Sequence, residues 1–213
     1  MTRFFAGLHV ITAFICCAAV TGTVQAQNRK AEIESFRKKQ QATLTELEDS
    51  PLHPEDTASI TYFPPEEDFA VMARIELLRG EKPFEMPAFD GSTKTFVRYA
   101  ILHFQLKGKP HRLTAFRSGF GALAALQPTY FVPFRDETNA ATTYGGGRYM
   151  DVAIPPGAEN ILLDFNKAYN PWCAYADGFR CPIPPAENTI SQAVEAGERN
   201  YRGTRRSRNS AQH

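Results

Sequence analysis

The chain has 213 residues, of which 43% are hydrophobic and 22% are charged. These values are ordinary for a folded globular protein, and they exclude a wholly disordered chain, a collagen and a multi-span membrane protein. Lys and Arg number 24 against 23 Asp and Glu, and the arginines after Glu198 leave the preceding body mildly acidic. Because a nucleic-acid-binding domain needs a basic face, we predict no nucleic-acid partner.

The first 26 residues have the layout of a secretory signal peptide. Arg3 precedes a mostly apolar run from Phe4 to Val20, and Val24-Gln25-Ala26 forms a small-x-small cleavage site. We therefore predict cleavage near Ala26 and an exported protein, either periplasmic or secreted, with no transmembrane segment in its mature chain. Two alternatives stay open. One is an uncleaved anchor, because the apolar run approaches spanning length, and the other is lipidation at the leader cysteines.

Removal of the leader leaves two cysteines, Cys173 and Cys181. In an oxidising compartment, a close pair across a loop rich in proline, glycine and aromatic residues predicts a disulfide bond. A metal site is the alternative, but no histidine lies nearby in the sequence to complete a ligand set. We predict neither a metal nor a cofactor.

Residues 27–50 predict an amphipathic N-terminal helix. Ile33, Phe36, Leu44 and Leu47 recur at spacings that place them on one helical face, and Ser50-Pro51 ends the pattern. Such a stripe can bind a membrane or a partner, but we favour docking onto the protein's own domain.

Residues 51–198 predict one mainly β domain, either an antiparallel β-sandwich or a partly closed barrel. Short alternating segments separated by glycine and proline turns are typical of these folds. The predicted strands are 69–77, 95–106, 111–116, 130–134, 148–154, 161–165 and 189–196. Residues 80–87 read as a turn and residues 122–126 as a helical turn. The basic residues 199–213 predict a disordered tail.

Within the predicted strand 95–106, strict alternation places two sets of side chains on opposite faces. One set is Phe96, Arg98, Ala100, Leu102, Phe104 and Leu106, and the other is Val97, Tyr99, Ile101 and His103.

Four blocks between residues 129 and 198 stand out. They are Tyr130–Asp136 with Thr138-Asn139, Thr143–Tyr149, Asp164–Cys173 and Cys181–Asn188. In this order, and followed by Ala196-Gly197-Glu198, they closely resemble an uncharacterised bacterial family, domain of unknown function 1684. The resemblance covers about residues 30–199 and implies that the blocks are the family's signature, but it implies no reaction or ligand. The family's members are not all exported, which leaves packing or metal binding as alternatives for the cysteine pair.

The blocks supply side chains that recognise a small polar or anionic ligand. Arg148 follows three glycines, and its guanidinium can grip a carboxylate or phosphate in a bidentate fork. Asp164, Asn166 and Asn170 offer acceptors and amide donors at the end of a predicted strand. Side chains that can stack on a flat face are Tyr144, Tyr149, Tyr169 and Trp172. The complete predicted ligand-binding set is Arg135, Asp136, Tyr144, Arg148, Asp164, Asn166, Tyr169, Asn170, Glu187 and Asn188.

Three functions stay open at this point. We favour binding of a small polar or anionic ligand through the loops of residues 129–198. The second is a small hydrolase that uses Asp164 or Glu187 as its acid or base. The third is an envelope structural or interaction protein, which predicts an exposed apolar patch. Both site hypotheses require the candidate residues to converge in the fold, whereas a structural role would leave them as internal ion pairs and backbone-satisfying amides.

Overall fold

The computed structural model describes residues 11–47, 49–118 and 129–207, with side chains from residue 27 onward except that of Ser118. One long helix, α1 (Ile11–Thr43), precedes the sheet. The strands are β1 (Ala70–Leu77), β2 (Phe84–Pro87), β3 (Thr93–Leu106), β4 (Lys109–Ser118), β5 (Thr129–Phe134), β6 (Arg148–Ala153) and β7 (Asn160–Asp164). Short 3-10 helices lie at Pro54–Ser59, Glu67–Phe69, Phe165–Lys167, Trp172–Ala174 and Ala186–Asn188.

The strands form one antiparallel sheet in the order β6-β5-β4-β3-β1-β7, and β2 pairs separately with β3. The sheet curls into a half-barrel, so the outer edges of β6 and β7 line opposite sides of a common gap. Side chains alternate between the two faces along each strand. The turn at Lys107-Gly108, where both φ angles are positive, joins β3 and β4 into a hairpin. The prediction of a mainly antiparallel, partly closed barrel with an N-terminal helix is confirmed.

A β-bulge in β3 reverses the facing of its side chains. Arg98 pairs with Phe116 and Ala100 pairs with Ala115, so Tyr99 is an extra residue in the register. Phe96 therefore lies on the sheet face opposite to Ala100, and the predicted single face from Phe96 to Leu106 is wrong. The physical reason is that one inserted residue shifts a period-2 pattern by half a period.

The main core lies on the inward face of the curled sheet. Strand residues such as Leu102, Leu113 and Val132 are fully buried there. The long coil after β7 contributes to the same core, with Phe165, Ala168, Ile190, Val194 and Ala196. The coil therefore covers the inward face that the half-barrel leaves open.

One side of α1 docks onto the domain. Ile33 is only 1% exposed, and the Arg37 side chain donates to the carbonyl of Phe63 at 3.0 Å. The helix ends at Thr43, earlier than predicted, and Leu47 is 57% exposed rather than docked. Within the residues that the structure describes, no helix is both long and apolar enough to cross a membrane.

Several segments differ from their predicted conformation. The predicted turn 80–87 contains β2, and the predicted strand 189–196 is a coil that makes one parallel bridge, between Thr189 and Arg135. Residues 199–207 lie along the domain rather than free of it, because the backbone of Arg206 bonds to Tyr175 and Asp177. The predicted helical turn at 122–126 lies outside the described residues.

Candidate functional site

Arg148 lies in the interior with no solvent exposure. Its guanidinium forms an ion pair with Asp136, with 2.9 Å between Nη2 and Oδ2, and both side chains are fully buried. The same group donates to the carbonyls of Val194, at 2.8 Å, and Ala196. A buried guanidinium needs such partners because desolvation of a charge is costly. Arg148 therefore fastens the C-terminal coil to β6 and presents no free face to a ligand.

Gly147, next to Arg148, has a φ of 92°, which a side chain rarely tolerates. A Cβ atom there would approach the Phe134 carbonyl oxygen to 2.7 Å. Glycine therefore allows the backbone just before Arg148 to pass close to Phe134.

Glu198 forms a second buried centre in the same coil. Its carboxylate accepts from the backbone N–H of Asn170 at 3.0 Å, from the Asn170 amide at 2.9 Å and from the Tyr175 hydroxyl. Burial raises the pKa of Glu198 to about 7, although these donors and the charge of Arg148 oppose the increase. Glu198 thus ties residues 170–175 to the segment that Arg148 holds.

Two asparagine side chains hydrogen-bond to backbone groups that have no partner in a described strand. The Asn166 amide bonds to both the N–H and the carbonyl of Glu66, and Asn166 also donates to Asp164 at 2.9 Å. The Asn188 amide bonds to both backbone groups of Thr114 and donates to the carbonyl of Pro133. β4 and β5 pair only at Phe116 and Phe131, so Asn188 bridges the place where these strands separate.

The remaining predicted residues lie apart from one another. Glu187 is exposed and forms a 2.8 Å ion pair with Arg98. Arg135 bridges to Thr189 through its backbone, and the Tyr144 ring packs edge-on against Phe89.

The structure therefore distributes the predicted set among two buried centres, two asparagine bridges and the surface. Among the ten predicted ligand-binding residues, only Tyr169 lines the cavity that Phe96, Phe131 and Trp172 border. Asp164 borders a different cavity and Glu187 borders neither, so these two carboxylates do not converge.

That cavity, the aromatic cleft, has a volume of about 640 Å³ and lies on the outward face of β5 and β6. Val132 and Met150 face the core, so alternation places Phe131, Tyr149 and Asp151 on the opposite face. The bulge in β3 turns Phe96 to this face as well. These four residues form the cleft floor, and residues 171–182 form the cleft wall.

Aromatic rings dominate the cleft surface. Phe96 stacks on Phe131 with ring centroids 5.4 Å apart, and Phe131 meets Tyr149 edge-on at 4.7 Å. In the wall, Trp172 and Phe179 pack edge-on at 5.0 Å and are partly exposed. Such a surface offers flat contacts to an aromatic or apolar body.

Charged groups border these rings. Lys94 and Arg180 are exposed basic residues of the lining, and Asp49 is an exposed acidic one. Burial first, then the charge of Arg180, lowers the pKa of Lys94, and the charge of Asp90 opposes this decrease. Asp151 opens to solvent in the cleft and accepts from the Tyr169 hydroxyl at 2.7 Å. The protein atoms packed around Asp151 desolvate its carboxylate and raise its pKa.

Cys173 and Cys181 lie at disulfide distance in the cleft wall, with Cα atoms 6.3 Å apart. The wall also bonds to the segment after β2, because the Phe89 N–H donates to the Cys181 carbonyl at 3.0 Å. The Tyr149 hydroxyl donates to the Pro182 carbonyl and joins the wall to the floor. Within the described residues, no group of three histidine, cysteine or acidic side chains has an arrangement that could hold a metal.

Sequence reasoning missed Lys94, Phe96, Phe131, Asp151 and Arg180 as site residues. Lys94 and Phe96 share a strand face at spacing two, and Arg180 precedes a cysteine of the close pair, so a signal was present. Tyr149, Tyr169 and Trp172, proposed as stacking residues, do line the cleft, whereas Tyr144 does not.

The fold and site define a class: an antiparallel half-barrel with an aromatic cleft on its outer sheet face and a coil with a close cysteine pair as the cleft wall. Residues 55–199 match the family described as Protein of unknown function (DUF1684), and the chain belongs to this family. The structure is similar to the solution NMR structure of an uncharacterized protein from Haloarcula marismortui, with 34% sequence identity and a TM-score of 0.65. That similarity covers 82% of this chain and 96% of the other. No curated protein matches the chain.

The first prediction concerns the buried ion pair. Arg148→Met should lower the free energy of unfolding by about 3–5 kcal/mol, because Asp136 would be left charged and unpaired in the interior. The exposed Arg112→Met, in the same sheet, should change it by less than about 0.5 kcal/mol. Urea denaturation measures both. Equal stability of the two variants would contradict a structural role for Arg148.

The second prediction concerns Glu198 and pH. Its pKa rises from an ordinary value of 4.5 to about 7 in the folded protein, so between these values the folded state holds the proton more tightly. The contribution of Glu198 to stability is therefore fully present below pH 4.5 and declines as pH rises towards 7, by at most about 3 kcal/mol.

Urea unfolding at about pH 4.5 and about pH 8 tests this expectation. Glu198→Gln should lose less stability across the interval than the unmodified chain, because the amide does not titrate. The exposed Glu81→Gln should retain the original pH dependence. If the stability of all three proteins changed equally with pH, the change could not be assigned to Glu198.

Proposed function

We propose that the chain binds a small ligand with a flat apolar body and an anionic group in the aromatic cleft. The observation that carries this proposal is the juxtaposition of Lys94 and Arg180 with an aromatic cleft of about 640 Å³. That volume lies within the range of about 300–1,000 Å³ typical of small-molecule sites.

The rings select the body of the ligand. Trp172 and Phe179 expose part of their surfaces on the wall, opposite the stacked rings of the floor. A planar group between wall and floor would bury apolar surface on both of its faces, which favours binding by about 25 cal/mol per Å².

The two cations select the charge of the ligand. Arg180 directs its Nε towards Ser92 and Asp90, and its side chain is 65% exposed, so the Nη groups can reach a ligand. Lys94 forms no ion pair with another described residue, and Arg180 disfavours its charged form, an effect that the carboxylate of Asp90 offsets only in part. An anion between the two would relieve their repulsion and gain charge-assisted hydrogen bonds.

Asp151 adds a polar contact on the cleft floor. Its Oδ2 accepts from Tyr169, and no described residue donates to its Oδ1. That oxygen can accept from an N–H or O–H group of the ligand. This arrangement supports binding better than hydrolysis by Asp164 or Glu187, which lie apart from the cleft and from each other.

We also propose that the mature chain works outside the cytoplasm. The leader has a basic residue, an apolar run and a small-x-small site before Gln27, which is the layout that export machinery reads. The Cys173–Cys181 bond suits an oxidising compartment.

The third prediction tests the cleft with two fluorescent probes. 8-Anilinonaphthalene-1-sulfonate is an anion with a flat naphthalene ring, and N-phenyl-1-naphthylamine is its neutral analogue without the sulfonate. The folded protein should bind the anion more tightly. Lys94→Met and Arg180→Met should each weaken anion binding about tenfold, or about 1.4 kcal/mol, and leave the neutral probe nearly unchanged.

Two further variants control this experiment. Trp172→Ala should weaken both probes because it removes a stacking surface. Arg117→Met, an exposed cation outside the cleft lining, should affect neither. Equal losses at Arg117 and Arg180 would indicate nonspecific attraction and would overturn the proposed site.

The fourth prediction concerns export and the disulfide. Protein expressed with its leader and recovered from the cell envelope should have the intact mass of a chain that begins at Gln27. That mass should be about 2 Da below the value for the fully reduced chain. Mass spectrometry before and after reduction measures both features. An unprocessed chain recovered from the cytoplasm would refute the export proposal, and an unchanged mass after reduction would refute the bond.

A further inference from the structure

We propose that the gap between β6 and β7 accepts an extended basic peptide, which adds a strand between these two edges and completes the barrel. Neither the aromatic rings of the cleft nor its two cations enter this argument. Backbone edges and the charges of a second cavity, which shares Asp151 with the cleft, carry the proposal.

β6 and β7 stand at opposite ends of the strand order, so each has an edge that no other strand of the described residues occupies. The curl of the sheet brings both edges to one cavity of about 530 Å³. Consecutive residues line it from each strand, Met150–Ala153 on one side and Asn160–Leu162 on the other. Glu32 and Phe36 of α1 contribute a further wall.

Both edges direct backbone groups into this gap. Tyr149 exchanges two backbone hydrogen bonds with Tyr169 on the outer edge of β6. The backbone N–H and carbonyl groups of Asp151 and Ala153 therefore also point outward from this edge. On β7, Glu159 bonds inward to Ile75, so Asn160 and Leu162 point outward. Among the described residues, no hydrogen bond satisfies the N–H or carbonyl of these outward positions.

The strands run in opposite directions and follow one another in the chain, yet they do not pair. Each of the five steps in the strand order is antiparallel, which makes β6 antiparallel to β7. Only residues 154–159 connect them. An inserted strand would therefore be antiparallel to one edge and parallel to the other, and both arrangements allow full hydrogen bonding.

The side chains of the gap define the chemistry of the peptide. Three carboxylates line it, those of Glu32, Asp151 and Asp164, against the single ammonium of Lys167, which pairs with Glu32. The charge of Arg37 offsets part of that of Asp164, and the negative charge that remains favours lysine or arginine. Met150, Val152 and Ile161 offer apolar contacts to the alternate positions of the same strand. Addition of a strand to exposed edges is an established mode of peptide recognition.

The test uses the full mature chain and the fluorescein-labelled peptide Lys-Val-Lys-Val-Lys-Val, acetylated and amidated at its ends. Fluorescence anisotropy should show saturable binding that weakens as salt rises. The Glu-Val counterpart should not bind. A Lys-Val peptide with N-methyl groups on alternate residues should lose at least tenfold in affinity, because it retains every side chain but lacks the donors of one edge.

Amide NMR locates the site. Added peptide should protect the N–H groups of Asp151, Ala153, Asn160 and Leu162 from hydrogen exchange. Ala153→Pro removes an outward N–H that has no partner in the described structure, and it should weaken binding about tenfold while the spectrum of the core is retained. Ala153→Val keeps the N–H and should bind as the original chain does.

Three outcomes would overturn the proposal. The N-methylated peptide could bind as tightly as the parent, or the peptide could protect the cleft wall instead of the two edges. The third is protection of the same amides without peptide as protein concentration rises, which would identify a second copy of this chain as the occupant.

Discussion

The fold depends on a charge that has no access to water. Arg148 can lie in the interior only because Asp136 neutralises it and because the coil carbonyls of Val194 and Ala196 accept from its Nη groups. That requirement fixes the coil against β6 and places Glu198 within reach of Asn170 and Tyr175. The cleft wall begins at the next residue after Asn170, so the buried arginine positions the cleft wall through two successive sets of hydrogen bonds.

A second constraint positions the cleft floor. An uninterrupted β3 would direct Phe96 to the same face as Ala100 and bury its ring in the main core. The extra residue Tyr99 reverses this facing, so the first half of β3 contributes to the outward surface and the second half to the core. The same strand thereby serves two layers. The outward layer also contains Met86 and Phe116, which are buried although they lie outside the main core.

The strands that alternate without interruption could be predicted from the sequence. β1 and β7 follow their predicted limits within a residue or so, because one face of each is consistently apolar. The bulge could not be predicted, since Tyr99 fits both a regular and a bulged strand. β2 was also missed, because it is short and its pattern depends on pairing with β3. For the site, the aromatic residues Tyr149, Tyr169 and Trp172 could be identified by type, but their convergence depends on the paths of β6 and the coil.

One physical requirement explains the polar residues of the four signature blocks, and it is not ligand binding. The coil that covers the core has almost no strand partner, so its backbone groups must bond to side chains. Asn166 and Asn188 satisfy the backbones of Glu66 and Thr114, and Asp136 accepts from the N–H of Val194. A buried coil therefore requires the same amides, carboxylates and guanidinium that a binding site uses. In this chain those residues hold the coil on the sheet, and the cleft that the coil forms is lined instead by rings and exposed cations that the polar pattern does not include.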